Sequence, residues 1–162
     1  MSDSFDFVTE LSVDSAAEFA AAMHGTAVFP LAPRGRIQLT GADRAKFLHN
    51  FCTNDIRGLQ PGKSCEAFVT SVQGKSLAHV FVHNVGDALH VDVAAANCSP
   101  LLRHLQKYHV SEDLEFAAGA DDQQVYVTGP TAAETLDGLM RGAGELPILS
   151  HSRFELNSTP VR

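Results

Sequence analysis

The 162-residue sequence predicts an α+β fold in which an antiparallel sheet is covered by helices. Three observations predict it. Between Cys65 and Ala94, strand-like runs follow one another with only tight Gly-containing turns between them. Connections that short join antiparallel neighbours. Helical patterns flank this region instead of alternating strictly with its strands, and apolar residues at 44% suffice to bury a core in a chain of this length.

The elements follow in order. Asp14 or Ser15 caps a helix to about Met23, with Ala16, Phe19, Ala20 and Met23 on one stripe. Thr26 to Phe29 reads as a short strand. Pro30, Pro33 and Gly35 break it, and Arg36 to Leu39 resumes as strand. A helix runs from about Arg44 to Phe51, with Phe47, Leu48 and Phe51 facing inward, and Asn54 to Gly62 is loop. Strands are expected at 65–72, 76–83 and 88–94. Asn97, Ser99 and Pro100 read as the cap and first turn of a helix to about Tyr108. Leu114 to Ala117 and Val125 to Thr128 read as strands around an acidic Asp121-Asp122 turn. Gly129-Pro130 opens a helix at 131–141, and a tail strand is expected at Arg153 to Leu156.

Composition narrows the function classes. Lys plus Arg is 12 against 19 Asp plus Glu, a net charge of −7, whereas a dedicated DNA or RNA binder usually carries a basic surface. No apolar run approaches the length of a membrane span, and Met1-Ser2-Asp3-Ser4-Phe5-Asp6 has no signal-peptide or transit character. Cys52, Cys65 and Cys98 form neither a disulfide framework nor a C-x-x-C, which fits a reducing cytosol. No predicted helix carries histidines at the i, i+4 spacing of a helical metal site, and neither G-x-S-x-G nor a Walker A loop is present. No catalytic or metal residue is therefore assigned.

One internal echo appears. Thr40-Gly41 and Thr128-Gly129 each end a strand and open a helix, with Ala five and Leu eight positions after the Thr. A duplicated strand–helix unit, as in ferredoxin-like halves, accounts for it better than an anion site, because one Gly is far short of a phosphate loop.

The hairpins carry the most information. A two-residue turn at Gln73-Gly74 sets Ser71 opposite Ser76, Thr70 opposite Leu77 and Phe68 opposite His79. A second turn at Val85-Gly86 sets Val82 opposite Leu89, Val80 opposite Val91 and His79 opposite Asp92. Alternation then divides the side chains. Ala67, Val69, Ala78, Val80, Val82, Leu89, Val91 and Val93 form a plain core face. Phe68, Thr70, Leu77, His79, Phe81, His83, His90 and Asp92 form a mixed face, too apolar for open water and too polar for a dry core. Such a face is either a pocket wall or a half-covered surface. The His79–Asp92 pair is the sharpest chemical feature, and it depends wholly on register. Lys75 at the first turn, and Arg34 and Arg36 around Gly35, are either solvated or placed to meet an anion.

The run Gly35 to Asn50, with Thr40-Gly41-Ala42-Asp43-Arg44 and Phe47-Leu48, leads into Thr53-Asn54-Asp55-Ile56, Leu59-Gln60-Pro61-Gly62, the Val72-Gln73-Gly74-Lys75 turn and Gly129-Pro130. In order and spacing, from about Phe29 to Leu139, it resembles the N-terminal half of the YgfZ-type folate-binding proteins, relatives of the glycine cleavage T-protein. The resemblance implies a ferredoxin-like domain at 26–145, preceded by a helical segment at 1–25 and followed at 146–162 by the start of another segment. It implies tetrahydrofolate or a derivative as cofactor. Phe68, Thr70, Leu77, His79, Phe81 and Asp92 would then wall the ligand site, with Gln73 and Lys75 near its rim. Asn54 and Asp55 match the family motif and either touch ligand or hold their loop in an Asx turn.

Two departures bear on activity. The acidic pair that the T-protein carries after its Gly-Gly turn aligns with Ala78 and His79, and its folate-contacting Asn with Ala94. The K-G-C-Y-x-G-Q-E-like motif of the family's second half has no match. The leading expectation is a cytoplasmic folate-binding module that supports iron–sulfur protein maintenance or tRNA modification, with an iron–sulfur protein or assembly factor as partner and no aminomethyl transfer of its own. The alternatives are a tetrahydrofolate-dependent aminomethyltransferase or other one-carbon transferase, and an interaction domain that docks a partner on the mixed face.

Overall fold

The computed structural model describes residues 15–119, 124–156 and 159–161. Helix α1 (Ser15–His24) precedes β1 (Ala27–Pro30), β2 (Arg34–Thr40) and α2 (Arg44–His49). Then come β3 (Ser64–Thr70), β4 (Ser76–Asn84), β5 (Ala88–Ala94) and α3 (Ala95–Lys107). Strands β6 (Glu115–Ala118) and β7 (Val125–Thr128), helix α4 (Ala132–Leu139) and the pair β8 (Phe154–Leu156) and β9 (Thr159–Val161) complete the order. The expected Asp121-Asp122 turn lies outside the described residues.

The main sheet has five antiparallel strands in the order β3-β4-β5-β2-β6. Strand β2 sits between β5 and β6, the split arrangement of a ferredoxin-like unit, and β3 adds a fifth strand at the edge. Strands β1 and β7 form a separate antiparallel pair. Loop and tail segments blunt the outer edge of β3. Cys52 bridges Val69, Thr53 N–H donates to the Phe68 carbonyl, and Ser64 N–H donates to the Leu149 carbonyl.

The core lies on one side of this sheet, and it includes the whole face that alternation selected in the hairpins. Ile37, Leu39, Val69, Val80, Val82, Leu89, Val91 and Val93 are fully buried, together with Leu48 of α2 and Leu105 of α3. Ile56, carried by the loop after α2, is also fully buried. Burying side chains of this size contributes roughly 1.5–3 kcal/mol each. No helix among the described residues is long and apolar enough to cross a membrane.

The echoed glycines share a geometry. Gly41 and Gly129 have φ of +100° and +115° at their strand-to-helix corners. A Cβ at Gly41 would strike the Asp113 backbone, and one at Gly129 the Gly25 backbone. Both positions therefore require glycine for conformation and for space.

Several boundaries differ from expectation. Gly35 does not break its strand. It lies within β2 because a Cβ there would collide with the Cys98 side chain, so glycine lets α3 approach the sheet. Helix α3 begins at Ala95, directly after β5, and Ala94 rather than Asn97 occupies the cap position. Ala95 N–H is held by the Pro33 carbonyl, which starts the helix early and leaves Pro100 inside it.

Candidate functional site

The first hairpin turn is one residue longer than the sequence suggests. Ser71 N–H donates to the Lys75 carbonyl around Val72-Gln73-Gly74, with Gly74 at φ +75°. A three-residue loop ending in a left-handed glycine is a common hairpin form. Thr70 accordingly faces Ser76, not Leu77, and a bulge absorbs the extra residue. Below it Val69 faces Ala78 and Phe68 faces His79, as expected. Leu77, at the bulge, leaves the mixed face. It lines a shallow cleft of about 220 Å³ with Asn97, Pro100, Leu101 and His104 of α3.

The second turn is centred on Gly86-Asp87 instead of Val85-Gly86. Val85 N–H donates to the Ala88 carbonyl, and Gly86, at φ +100°, takes the first central position. The β4–β5 register is therefore two residues from the expected one. Val82 faces Val91, Val80 faces Val93 and Phe81 faces Asp92. His79 and Asp92 are not partners. A shift of two residues leaves every side chain on its predicted face but exchanges all cross-strand neighbours.

Two constellations result on the side of the sheet opposite the core. The first centres on Asp92, a buried residue at 5% exposure. Arg36, its partner across the β2–β5 ladder, grips it through Nε at 2.7 Å and a terminal nitrogen at 3.1 Å. Gln124 donates to Oδ2 at 3.2 Å, and His83 Nε2 lies 3.4 Å from the same oxygen. Burial alone would raise this carboxyl. The hydrogen bonds from His83 and Arg36, with the Arg36 charge, outweigh that and hold it well below the usual carboxylate range. His83 Nδ1 lies 2.7 Å from Ser64 Oγ, which also lies 3.1 Å from His151 Nδ1.

The second constellation is open. His79 Nε2 lies 2.6 Å from Glu66 Oε1, a diagonal neighbour on β3. The His79 ring sits between Phe68 and Phe81, with centroid distances of 5.1 and 5.2 Å. The Arg34 guanidinium lies 5.5 Å from the Phe81 centroid and donates to the Asp92 carbonyl at 3.1 Å. Phe68 is 46% exposed, although aromatic residues of this size usually find cover. Phe68 of β3, His79 and Phe81 of β4 and Arg34 of β2 form one strip. Thr70 is half-buried at the end of β3, and Gln73 and Lys75 stand exposed at the hairpin tip.

Asn54 and Asp55 lie off this strip. Asn54 Nδ2 donates to the Glu66 carbonyl at 3.0 Å, while Asp55 Oδ1 accepts from the N–H groups of Arg57 and Gly58. These bonds make an Asx-type turn that seats Ile56 in the core. The Cys52 and Cys65 thiols are not poised for nucleophilic attack. Burial pushes Cys52 up to about 12 and also raises Cys65. Among the described residues, no group of three or more His, Cys, Asp or Glu could hold a metal ion.

Glu66 is the site residue that sequence reasoning passed over. The signal was present, since Glu66 precedes Phe68 by two residues and shares its face. The pairings of Arg36 with Asp92 and of Ser64 with His83 and His151 needed strand order and tail position, which no local pattern carries.

Comparison with known proteins agrees with this architecture. Residues 3–162 match the family model described as the GCVT N-terminal domain. The crystal structure of the glycine cleavage system aminomethyltransferase T from Bartonella henselae superposes with a TM-score of 0.73 at 18% identity, over 86% of this chain and 38% of that one. A chloroplastic Arabidopsis thaliana protein that carries a transferase name is 33% identical over 87 residues, which are 52% of this chain and 20% of that protein. The mitochondrial aminomethyltransferase of Dictyostelium discoideum is 22% identical over 121 residues, 70% of this chain and 30% of that protein. The chain thus spans about a fifth to two fifths of the length of these relatives. By its match along nearly all of its length, the chain belongs to the GCVT N-terminal domain family.

Proposed function

We propose that the open face of the five-stranded sheet binds tetrahydrofolate or a derivative, and that the protein serves as a folate-binding module of the YgfZ type. In this reading it works in the cytoplasm, supports iron–sulfur protein maintenance or the tRNA modification that depends on it, and meets an iron–sulfur protein or assembly factor. The observation that carries the folate reading is the strip Phe68–His79–Phe81. The exposed ring of Phe68 offers stacking to a flat ring, with His79 and the half-buried Phe81 beside it, and polar groups stand at both ends. The residues fit such a ligand better than they fit a metal or a phosphate loop, and aminomethyltransferases among the relatives support the ligand class.

The support for a module without aminomethyl transfer is the sequence departure at Ala78 and His79. One observation favours a second reading, a folate-dependent one-carbon transferase. Glu66 brings a carboxylate to His79 from the neighbouring strand, so the face does not lack an acid. The test is calorimetric titration with 5-formyltetrahydrofolate, beside a His79→Ala variant. Micromolar binding weakened by the substitution supports the site. Binding unchanged by it moves the ligand elsewhere, and absence of binding favours the mixed face as a protein interface. Folate-dependent turnover would select the transferase reading.

A further inference from the structure

Glu66 and Arg34 give the open face opposite charges at its two ends. Glu66 spends Oε1 on His79, and among the described residues its Oε2 has no partner. That oxygen is an acceptor, and Glu66 stands two residues from the exposed Phe68 on the same face of β3. A flat ring laid on Phe68 would bring its edge N–H groups to this carboxylate.

At the far end stands Arg34. The neighbouring carboxylate, Asp92, is engaged by Arg36 in two hydrogen bonds, and Arg34 reaches only the Asp92 backbone carbonyl. Among the described residues Arg34 forms no carboxylate ion pair. A guanidinium has five donors, so most of them remain available to an acid. Strands β3 and β2 are three intervals apart, about 14 Å. The rings of His79 and Phe81 fill the space between.

We infer that the open face binds its ligand with one fixed polarity, an N–H-rich ring over Phe68 against Glu66 and an acidic tail against Arg34. The inference rests on the folate reading for the ligand's identity, and on the two end charges for its direction. The reverse placement sets an acidic tail beside Glu66 and leaves Arg34 facing ring N–H groups, so both contacts are repulsive. Lys75 at the hairpin tip is the competing cation, since it stands beyond the Phe68 end of the strip.

The test uses the 162-residue chain and two probes, 5-formyltetrahydrofolate and a tetrahydropterin that lacks the benzoylglutamate tail. Calorimetry compares wild type with Arg34→Gln, Glu66→Gln and Lys75→Gln, each first checked for native circular dichroism. Loss of one charge-assisted hydrogen bond corresponds to roughly tenfold in affinity. Arg34→Gln is expected to weaken the tailed probe by about that factor and to spare the tail-less one. Glu66→Gln is expected to weaken both probes. The polarity is overturned if Arg34→Gln affects both probes equally or neither, or if the tail-specific loss appears in Lys75→Gln. Wild type that binds neither probe overturns the folate reading and the polarity together. Wild-type binding that ignores both end variants overturns the polarity alone.

Discussion

Asp92 and His79 occupy the same face of the same sheet, and each meets a side chain of opposite chemistry, yet they are held in contrasting ways. Asp92 is buried, and its carboxylate is filled by Arg36, Gln124 and His83. His79 is exposed and meets a single partner, Glu66, between two aromatic rings that water still reaches. The first cluster has little capacity left for a ligand and ties β2, β4 and β5 together. The second has unspent acceptors and open apolar area. The difference shows how one polar face divides between internal cohesion and recognition, according to how completely its groups already satisfy each other.

The largest expected effect is on the closed cluster. Asp92→Asn removes the carboxylate charge that Arg36 grips in a mostly buried place. Urea denaturation should show a loss of about 3 kcal/mol, the scale for breaking a buried pair. Affinity for 5-formyltetrahydrofolate should stay within about twofold, since the variant spares the open strip. A stability loss below about 1 kcal/mol would remove the contrast between the two clusters.

The same cluster has a pH signature. Its carboxyl is depressed in the fold, so its contribution is complete above the unfolded value near pH 4. The contribution is lost as pH falls from there toward the folded value. Stability measured from about pH 5 downward should fall more steeply in wild type than in Asp92→Asn. Parallel curves would assign acid lability to other groups.

A smaller effect is expected at the turn that separates the two residues. Gly86 has φ +100° with open space around it, so Gly86→Ala adds backbone strain without a collision. The expected cost is about 1 kcal/mol, read as a lowered denaturation midpoint. No change would mean that the turn does not require glycine there and does not set the register. The smallest effect on stability belongs to His79→Ala, under about 0.5 kcal/mol because the pair with Glu66 is exposed. Its effect on folate affinity should exceed tenfold, the reverse of the pattern expected for Asp92→Asn. A large stability loss with unchanged affinity would reassign His79 to cohesion.

The core face was legible because it depends only on alternation. Val80, Val82, Val91 and Val93 remain inward under the expected register and under the observed one, since the two differ by an even number of residues. The His79–Asp92 pair failed on a single turn. Val85-Gly86 and Gly86-Asp87 are both plausible two-residue turns, and local sequence does not choose between them. The geometry does, because glycine at the first central position relieves the positive φ there. Leu77 was misplaced for a similar reason, since a bulge beside a three-residue loop leaves no mark in the alternation. Asn54 and Asp55 were legible as a motif, and Asp55 closes an Asx turn.

The sequence by itself determined the α+β class, the succession of strands and helices, the inward face of the sheet and the glycine corners after β2 and β7. These follow from periodicity and from backbone conformation, which act over a few residues. Only the tertiary structure decided which polar groups meet. The placement of β2 beside β5 brings Arg36 to Asp92, the register of β3 and β4 brings Glu66 to His79, and the docked tail brings His151 to Ser64. Those contacts join residues as much as 87 positions apart, and they exist only once the sheet has closed over its core.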